Sequence, residues 1–296
     1  IRCAGALLVI AAGSALLSLA FAVPAVAATS AAGGAAGRVY FVSTTGDDGA
    51  PGTSEQPWAT PEAAAARAKA GDTVLFRGGT YALRAQVRVA ASGTPDRWIT
   101  FASAPGESAT LDASAIRQFG ADAVPHHRAN NGAFQIQGVS HVRVIGLRLV
   151  RSQDAGFVIR DSSHVSLINN ETDLTFSSGI AVWDSDNRGR ATREIRVIGN
   201  TIHRATTWDM KPESFPRTKD GQPQEAISIA GAVGFEVAYN QVSHGDKEGI
   251  DVKETSRRGR GRRGGPPCGR RLGGAGSGPP PRRSGRPVGG GRPGVG

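Results

Sequence analysis

The sequence predicts an all-β chain whose body is a parallel β-helix, a solenoid, with a short N-terminal capping helix and a disordered C-terminal tail. Three observations predict it. Short alternating segments recur at one spacing: AFQIQ from Ala133, GFVIR from Gly156 and GIAVW from Gly179 start 23 residues apart, as do AISIA from Ala226 and GIDVK from Gly249. A second segment recurs between them, HVRVIGL from His141, HVSLINN from His164, EIRVIGN from Glu194 and FEVAYN from Phe235, and three copies close on Asn170, Asn200 and Asn240. Two strands in so short a repeat leave no room for a helical crossover. They suit a coil that adds one rung to each of several parallel sheets.

The elements follow in chain order. Arg2, the apolar run from Ala6 to Val23 and the small-residue series Ala25-Val26-Ala27-Ala28 read as a secretory signal peptide over 1–27. The run is short and ends in Ala-x-Ala, which argues against a membrane anchor. Residues 28–37 form a linker, and the β-helix domain is expected over 38–256. Thr60-Pro61-Glu62 before AAAARAKAG predicts a helix with a threonine N-cap, proline at its first position and Gly71 at its end. Such a helix covers the open end of the solenoid, whose strand edges are otherwise unpaired. TVLFRGGTY, QVRVA and WITFASAPG supply the first strands.

Period-two geometry then turns Phe157 and Ile159, Ile180 and Val182, Ile227 and Ile229, and Ile250 and Val252 inward as stacked columns. The recurrent asparagine fits a stacked turn, a structural role. His141 and His164 recur at a strand start and read as turn packing; His203 and His244 have no obvious partners. From Asn170 to Asn200 the step is 30 and from Asn200 to Asn240 it is 40, so residues are inserted around DSDNRGR and in HRATTWDMKPESFPRTKDGQPQ. Insertions in a solenoid emerge as surface loops, often beside the binding face.

Charge and cysteine bound the function classes. The formal net charge is +10, but 257–296 alone carries 11 arginines, 15 glycines and 7 prolines with no acidic residue. The rest holds 24 basic and 25 acidic side chains, so no nucleic acid is expected for the body. The tail cannot bury a core. It reads either as an arginine-glycine arm or as a shift of reading frame in a GC-rich gene. Its lack of aromatics and its start in mid-repeat favour the second, which makes the domain an incomplete version of something longer. Cys3 and Cys268 both lie outside the body, which therefore has neither a disulfide nor a thiolate metal site.

The outward positions of the GIDVK sheet are Gln135 and Gln137, Val158 and Arg160, Ala181 and Trp183, Ser228 and Ala230, Asp251 and Lys253. At about 4.8 Å per rung, five rungs span roughly 20 Å, enough for an extended polymer. Trp183 offers a ring to a sugar face, Arg160 and Lys253 offer charge to a carboxylate, and the long insertion adds Trp208, Lys211, Arg217 and Lys219 as a wall. Asp251 and Lys253, two apart on one strand face, equally fit a solvated ion pair of little energetic weight.

YFVSTTGDDGAPGTSEQPWATPEAAAARAKAGDTVLFRGGTY followed by SGTPDRWITFASAPGESATLDAS resembles the opening of secreted right-handed parallel β-helix proteins of the pectate-lyase-like superfamily. The chain is similar to the family 9 pectate lyases and to the alginate lyase/chondroitinase B group, over roughly Arg38 to Ser256. The resemblance implies a polysaccharide lyase acting by calcium-assisted β-elimination, with Lys253 in the place of the lysine base. Asp251, Asp184, Asp186 and Glu225 become the expected Ca2+ ligands, since calcium takes 6–8 oxygens. Arg160, Trp183 and Trp208 become substrate-binding groups. The expected partner is an acidic polysaccharide met outside the cell by a monomeric chain, free of the membrane once the signal peptide is cut. A non-catalytic glycan- or surface-binding β-helix and a glycoside hydrolase of the same fold remain the alternatives. The hydrolase needs two carboxylates flanking one bond, and the outward face shows Asp251 with no second acid on an adjacent rung.

Overall fold

The computed structural model describes residues 37–116, 131–185, 191–211 and 225–253. The signal peptide, most of the linker, the arginine-rich tail, Asp186, Arg217 and Lys219 lie outside the described residues.

Three parallel sheets wrap around one core. Sheet 1 contains Val39–Val42, Thr73–Phe76, Ile99–Ser103, Ser140–Ile145, Ser163–Ile168, Arg193–Ile198 and Val233–Ala238, in that spatial order. Sheet 2 contains Gly79–Ala82, Ala109–Asp112, Arg148–Ser152, Glu171–Thr175, Thr201–His203 and Gln241–Ser243. Sheet 3 contains Val87–Arg88, Gly132–Gln137, Ala155–Arg160, Ile180–Trp183, Ile227–Ala230 and Ile250–Lys253. Each coil visits the three in turn, so this is a parallel β-helix. The repeat predicts two strands per coil; the structure has three. The additional strands of sheet 2 follow the asparagine turn directly and are as short as three residues, too short for an alternation to declare itself.

The register is the one the spacing demands. Phe157 pairs with Phe134 and Ile180, Ile180 with Ile227, and Ile227 with Ile250. Sheet 1 carries Val142, Val165, Ile195 and Phe235 in one column despite the unequal chain lengths between them. The insertions are therefore expelled without disturbing the stack. Phe134, Phe157, Ile180, Ile227 and their partners Ile159, Val182 and Ile229 are fully buried. Ile250 and Val252 face the same way yet are 48% and 46% exposed, because no further rung lies over them among the described residues.

The helix spans Pro61–Arg67, with Thr60 accepting from the Ala63 amide at 3.2 Å as its N-cap. It stops at Ala68, before Gly71, and seats Ala64, Ala65 and Ala68 in the core cluster at the N-terminal end of the solenoid. No helix among the described residues is long and apolar enough to cross a membrane.

The asparagine column is built as a ladder. Asn200 Oδ1 accepts from the Asn170 backbone N–H at 2.9 Å and from Asn170 Nδ2 at 3.0 Å. Asn240 Oδ1 does the same for Asn200 at 2.8 and 3.0 Å. Each Nδ2 also donates to a strand carbonyl, of Val144, Leu167 or Val197. The turn between sheets 1 and 2 thus satisfies polar groups that burial would otherwise leave unpaired.

Candidate functional site: the outer face of sheet 3

Strand pleating turns two side-chain columns of sheet 3 away from the core. Register places Gln137, Arg160, Trp183, Ala230 and Lys253 in one, and Gln135, Val158, Ala181, Ser228 and Asp251 in the other. The two columns differ in exposure. Gln135, Val158, Ala181 and Ser228 are buried, and Ala155, Val158 and Ala181 form a small apolar cluster separate from the core. The column is open at its two ends, at Arg88, in register with Gln135, and at Asp251, whose side chain is 41% exposed. The sequence reading treats both columns as open, because alternation reports which way a side chain points but not what the chain folds over it. Gly132, for example, lies so close over Val158 that a Cβ on it would meet Cγ2 at 2.8 Å.

Lys253 sits at the open end of the first column. Its Nζ donates to Glu225 Oε2 at 2.7 Å and lies 3.6 Å from Asp251 Oδ2. Glu225 Oε2 also accepts from the Ser228 hydroxyl at 3.0 Å. Burial pushes the Glu225 carboxyl up, but the Lys253 hydrogen bond and charge together with the Ser228 hydroxyl outweigh it and hold the group below the usual glutamate range. Lys253, Asp251 and Glu225 are thus brought together, and Ser228, which the sequence reading uses only as an outward position, joins them. Its link to Glu225 spans only three residues, but Glu225 ends a long insertion and its direction is not set by the repeat.

Arg160 and Trp183 are neighbours on adjacent rungs. The guanidinium lies over the indole ring, 4.9 Å from its centroid, while Nε donates to Ser185 Oγ at 2.9 Å and approaches Asp161 Oδ2 at 3.6 Å. One face of Trp183 is therefore already occupied by a cation. Trp208 is set apart from this row. It starts the short 3-10 helix Trp208–Met210 and packs against Phe176, ring centroids 5.7 Å apart. At the far end of the sheet, a cleft of about 450 Å³ is lined by Arg88, Val89, Gln135, Gln137 and Gly138. Four to five rung steps, roughly 19–24 Å at about 4.8 Å each, separate its two strands from that of Lys253.

Among the described residues, the acidic residues expected to hold calcium do not form a three-ligand group. Asp184 is buried, and its Oδ2 accepts from the Ala191 and Thr192 amides at 2.9 Å each, so it ties down a turn. Asp251 and Glu225 both face the Lys253 ammonium, at 3.6 and 2.7 Å, so the cation that they share is the lysine. Among the described residues no three His, Cys, Asp or Glu side chains form a group able to hold a metal. The described carboxylates do not fit a calcium ion, and no chemical step is assigned to one.

The family model described as "Pel9A-like, right handed beta helix region" matches residues 40–213, more than half of the chain. A pectate lyase, PEL9, from Emericella nidulans is 30% identical over 125 residues, which are 42% of this chain and 30% of that protein. The crystal structure of pectate lyase Pel9A superposes with a TM-score of 0.51 at 17% identity, covering 73% of this chain and 50% of that one. The structure of a GH136 lacto-N-biosidase from Eubacterium ramulus gives the same TM-score, 0.51, at 17% identity, covering 73% and 43%. The two structural likenesses are likenesses of fold, and they span a lyase and a protein named for hydrolysis. The chain covers half or less of the length of each of these three proteins.

Proposed function

This chain belongs to the Pel9A-like right-handed β-helix family, and from that premise we propose that it acts on carbohydrate as a secreted polysaccharide lyase. Its substrate on this reading is an acidic, uronate-containing polysaccharide laid across the outer face of sheet 3. The observation that carries the reading is Lys253: an outward, one-third exposed amine in register with Trp183 and Arg160 on a row several rungs long.

β-Elimination removes the weakly acidic proton beside the uronate carboxylate. In the proposed step the Lys253 amine takes that proton, the electron pair left behind forms a carbon–carbon double bond, and the glycosidic carbon–oxygen bond breaks. The departing oxygen takes a proton from water and becomes the new chain end. A lysine must give up its proton before it can act as a base, whereas Glu225 and Asp251 hold the Lys253 amine in an ion pair in the resting arrangement. Lys253 must therefore lose a proton as substrate displaces the Glu225 contact. The same ion pairing favours a second reading, a non-catalytic glycan binder in which Lys253 stays charged and receives the sugar carboxylate.

One experiment separates them. The full chain is incubated with pectate and with alginate, each with calcium and with chelator, and ultraviolet absorbance of unsaturated uronate products is followed alongside affinity electrophoresis in the same glycans. Product formation that falls at least about 100-fold in Lys253→Ala supports the lyase. Retardation in the gel without product, weakened in Lys253→Ala, supports the binder. Neither retardation nor product overturns both readings, and loss of product in chelator alone restores calcium to the mechanism.

A further inference from the structure

On sheet 2, away from the row of Lys253, two histidines with no sequence signal meet. His203 ends the strand Thr201–His203, and His244 is the residue after the neighbouring strand Gln241–Ser243. Register pairs His203 with Ser243, so the two histidines are offset by one position. The left-handed backbone at His244, φ 56°, is where the chain leaves that strand. His203 Nε2 and His244 Nδ1 stand 3.0 Å apart, with the rings nearly perpendicular at 79°. On its other side, His203 Nδ1 lies 3.2 Å from Asp173 Oδ1.

Asp173 fixes the chemistry of that pair. Arg204 holds both of its oxygens, Nε at 2.8 Å from Oδ1 and a terminal nitrogen at 2.6 Å from Oδ2, so the carboxylate is already paired with a cation where it meets His203. An ionised carboxylate only accepts, so His203 Nδ1 carries the proton and donates it. His203 Nε2 is then the ring nitrogen that faces His244. A carboxylate that fixes tautomer and ring orientation from behind is the usual support of a metal-ligating histidine. Two metal–nitrogen bonds of about 2.0–2.1 Å at a tetrahedral angle place their nitrogens roughly 3.3 Å apart, close to the separation observed. Arg204 and Arg148 oppose a cation here, but both are bound to Asp173, and Arg148 also to Glu171 at 2.8 Å.

We propose that His203 and His244 form a binding site for a late first-row divalent metal of the Zn2+, Ni2+ and Cu2+ class, with Asp173 positioning His203 and water completing the coordination. Imidazole nitrogens suit these ions, whereas calcium and magnesium take oxygen. The site is independent of the lyase reading and of the calcium once expected on sheet 3.

The test uses the full chain without an affinity tag, titrated calorimetrically with zinc chloride and followed by visible absorption with cobalt(II). The expected result is a zinc site that weakens at least about 10-fold in both His203→Gln and His244→Asn, together with loss of the nitrogen-ligated cobalt band. Asparagine is chosen at 244 because it tolerates the left-handed backbone. Asp173→Asn is expected to weaken zinc about 10- to 100-fold while keeping the cobalt band. His164→Asn, at a histidine whose ring stacks on that of His141 with centroids 4.4 Å apart and whose backbone is likewise left-handed, leaves zinc binding unchanged. Should His203→Gln fail to fold, His244→Asn and the cobalt spectrum decide. Absence of zinc binding in the native chain, or equal affinity in His244→Asn, overturns the proposal.

Discussion

Glu225 shows what one side chain changes at the residue scale. Its charge is favoured by Lys253 and Ser228 against the cost of burial, so its folded carboxyl titrates below its unfolded value. A depressed carboxyl contributes stability that is fully present above the unfolded pKa and is lost as pH falls through the folded one. Glu225→Gln is accordingly expected to lower stability by about 1 kcal/mol at neutral pH. The gap to the native chain should close as the solution is acidified below the ordinary glutamate range. Urea midpoints measured from neutral to acidic pH check this; a gap that stays constant with pH means that the pair is not the source. The sequence exposes Asp251 and Lys253 as a pair because both sit on a regular strand. It offers Glu225 only as a metal ligand, since nothing in the repeat says which way a residue ending an insertion will turn. The same offset hides His203 from His244: they lie 41 positions apart, one more than the asparagine step beside them.

Single elements are legible to the degree that their polar groups repeat. The capping helix announces itself through Thr60 and Pro61, and the asparagine turn through its recurrence, whereas the strands of sheet 2 are too short to show a period. The asparagine ladder also has an internal gradient of burial. Asn170 and Asn200 are 2% and 1% exposed, while Asn240 is only partly buried. Asn200→Ala removes the acceptor of two Asn170 donors and the donor to Leu167, and leaves them without water. The expected loss is about 2–3 kcal/mol, in the range for orphaned buried groups. Asn240→Ala should cost less, because the groups it frees are nearer to solvent. Denaturant unfolding of the two variants ranks them, and the reverse order contradicts a load-sharing ladder. Conservative Asn200→Asp is expected to restore little, since it exchanges the Nδ2 donor for a buried charge.

In the whole molecule, stability is a sum over stacked rungs and the contacts between neighbours. Position along the stack therefore matters as much as residue type. Ile227 and Ile250 offer a direct comparison, because they are the same residue in the same column on adjacent rungs. Ile227 is covered on both sides and fully buried; among the described residues Ile250 pairs with Ile227 on one side only, and it is 48% exposed. Ile227→Ala leaves a cavity in a filled column and is expected to cost about 2–5 kcal/mol. Ile250→Ala removes atoms already half in water and leaves no closed void, so roughly 1 kcal/mol is expected from area alone. The columns themselves were readable from alternation, but this difference between rungs was not, since a column lists what stacks and is silent on where the stack is covered. Urea unfolding of both variants measures the difference, and amide exchange should be fastest in Ile250–Lys253. If Ile250→Ala costs as much as Ile227→Ala, further residues of the chain close over Lys253. The face proposed to receive the polysaccharide is then more enclosed than the described rungs make it.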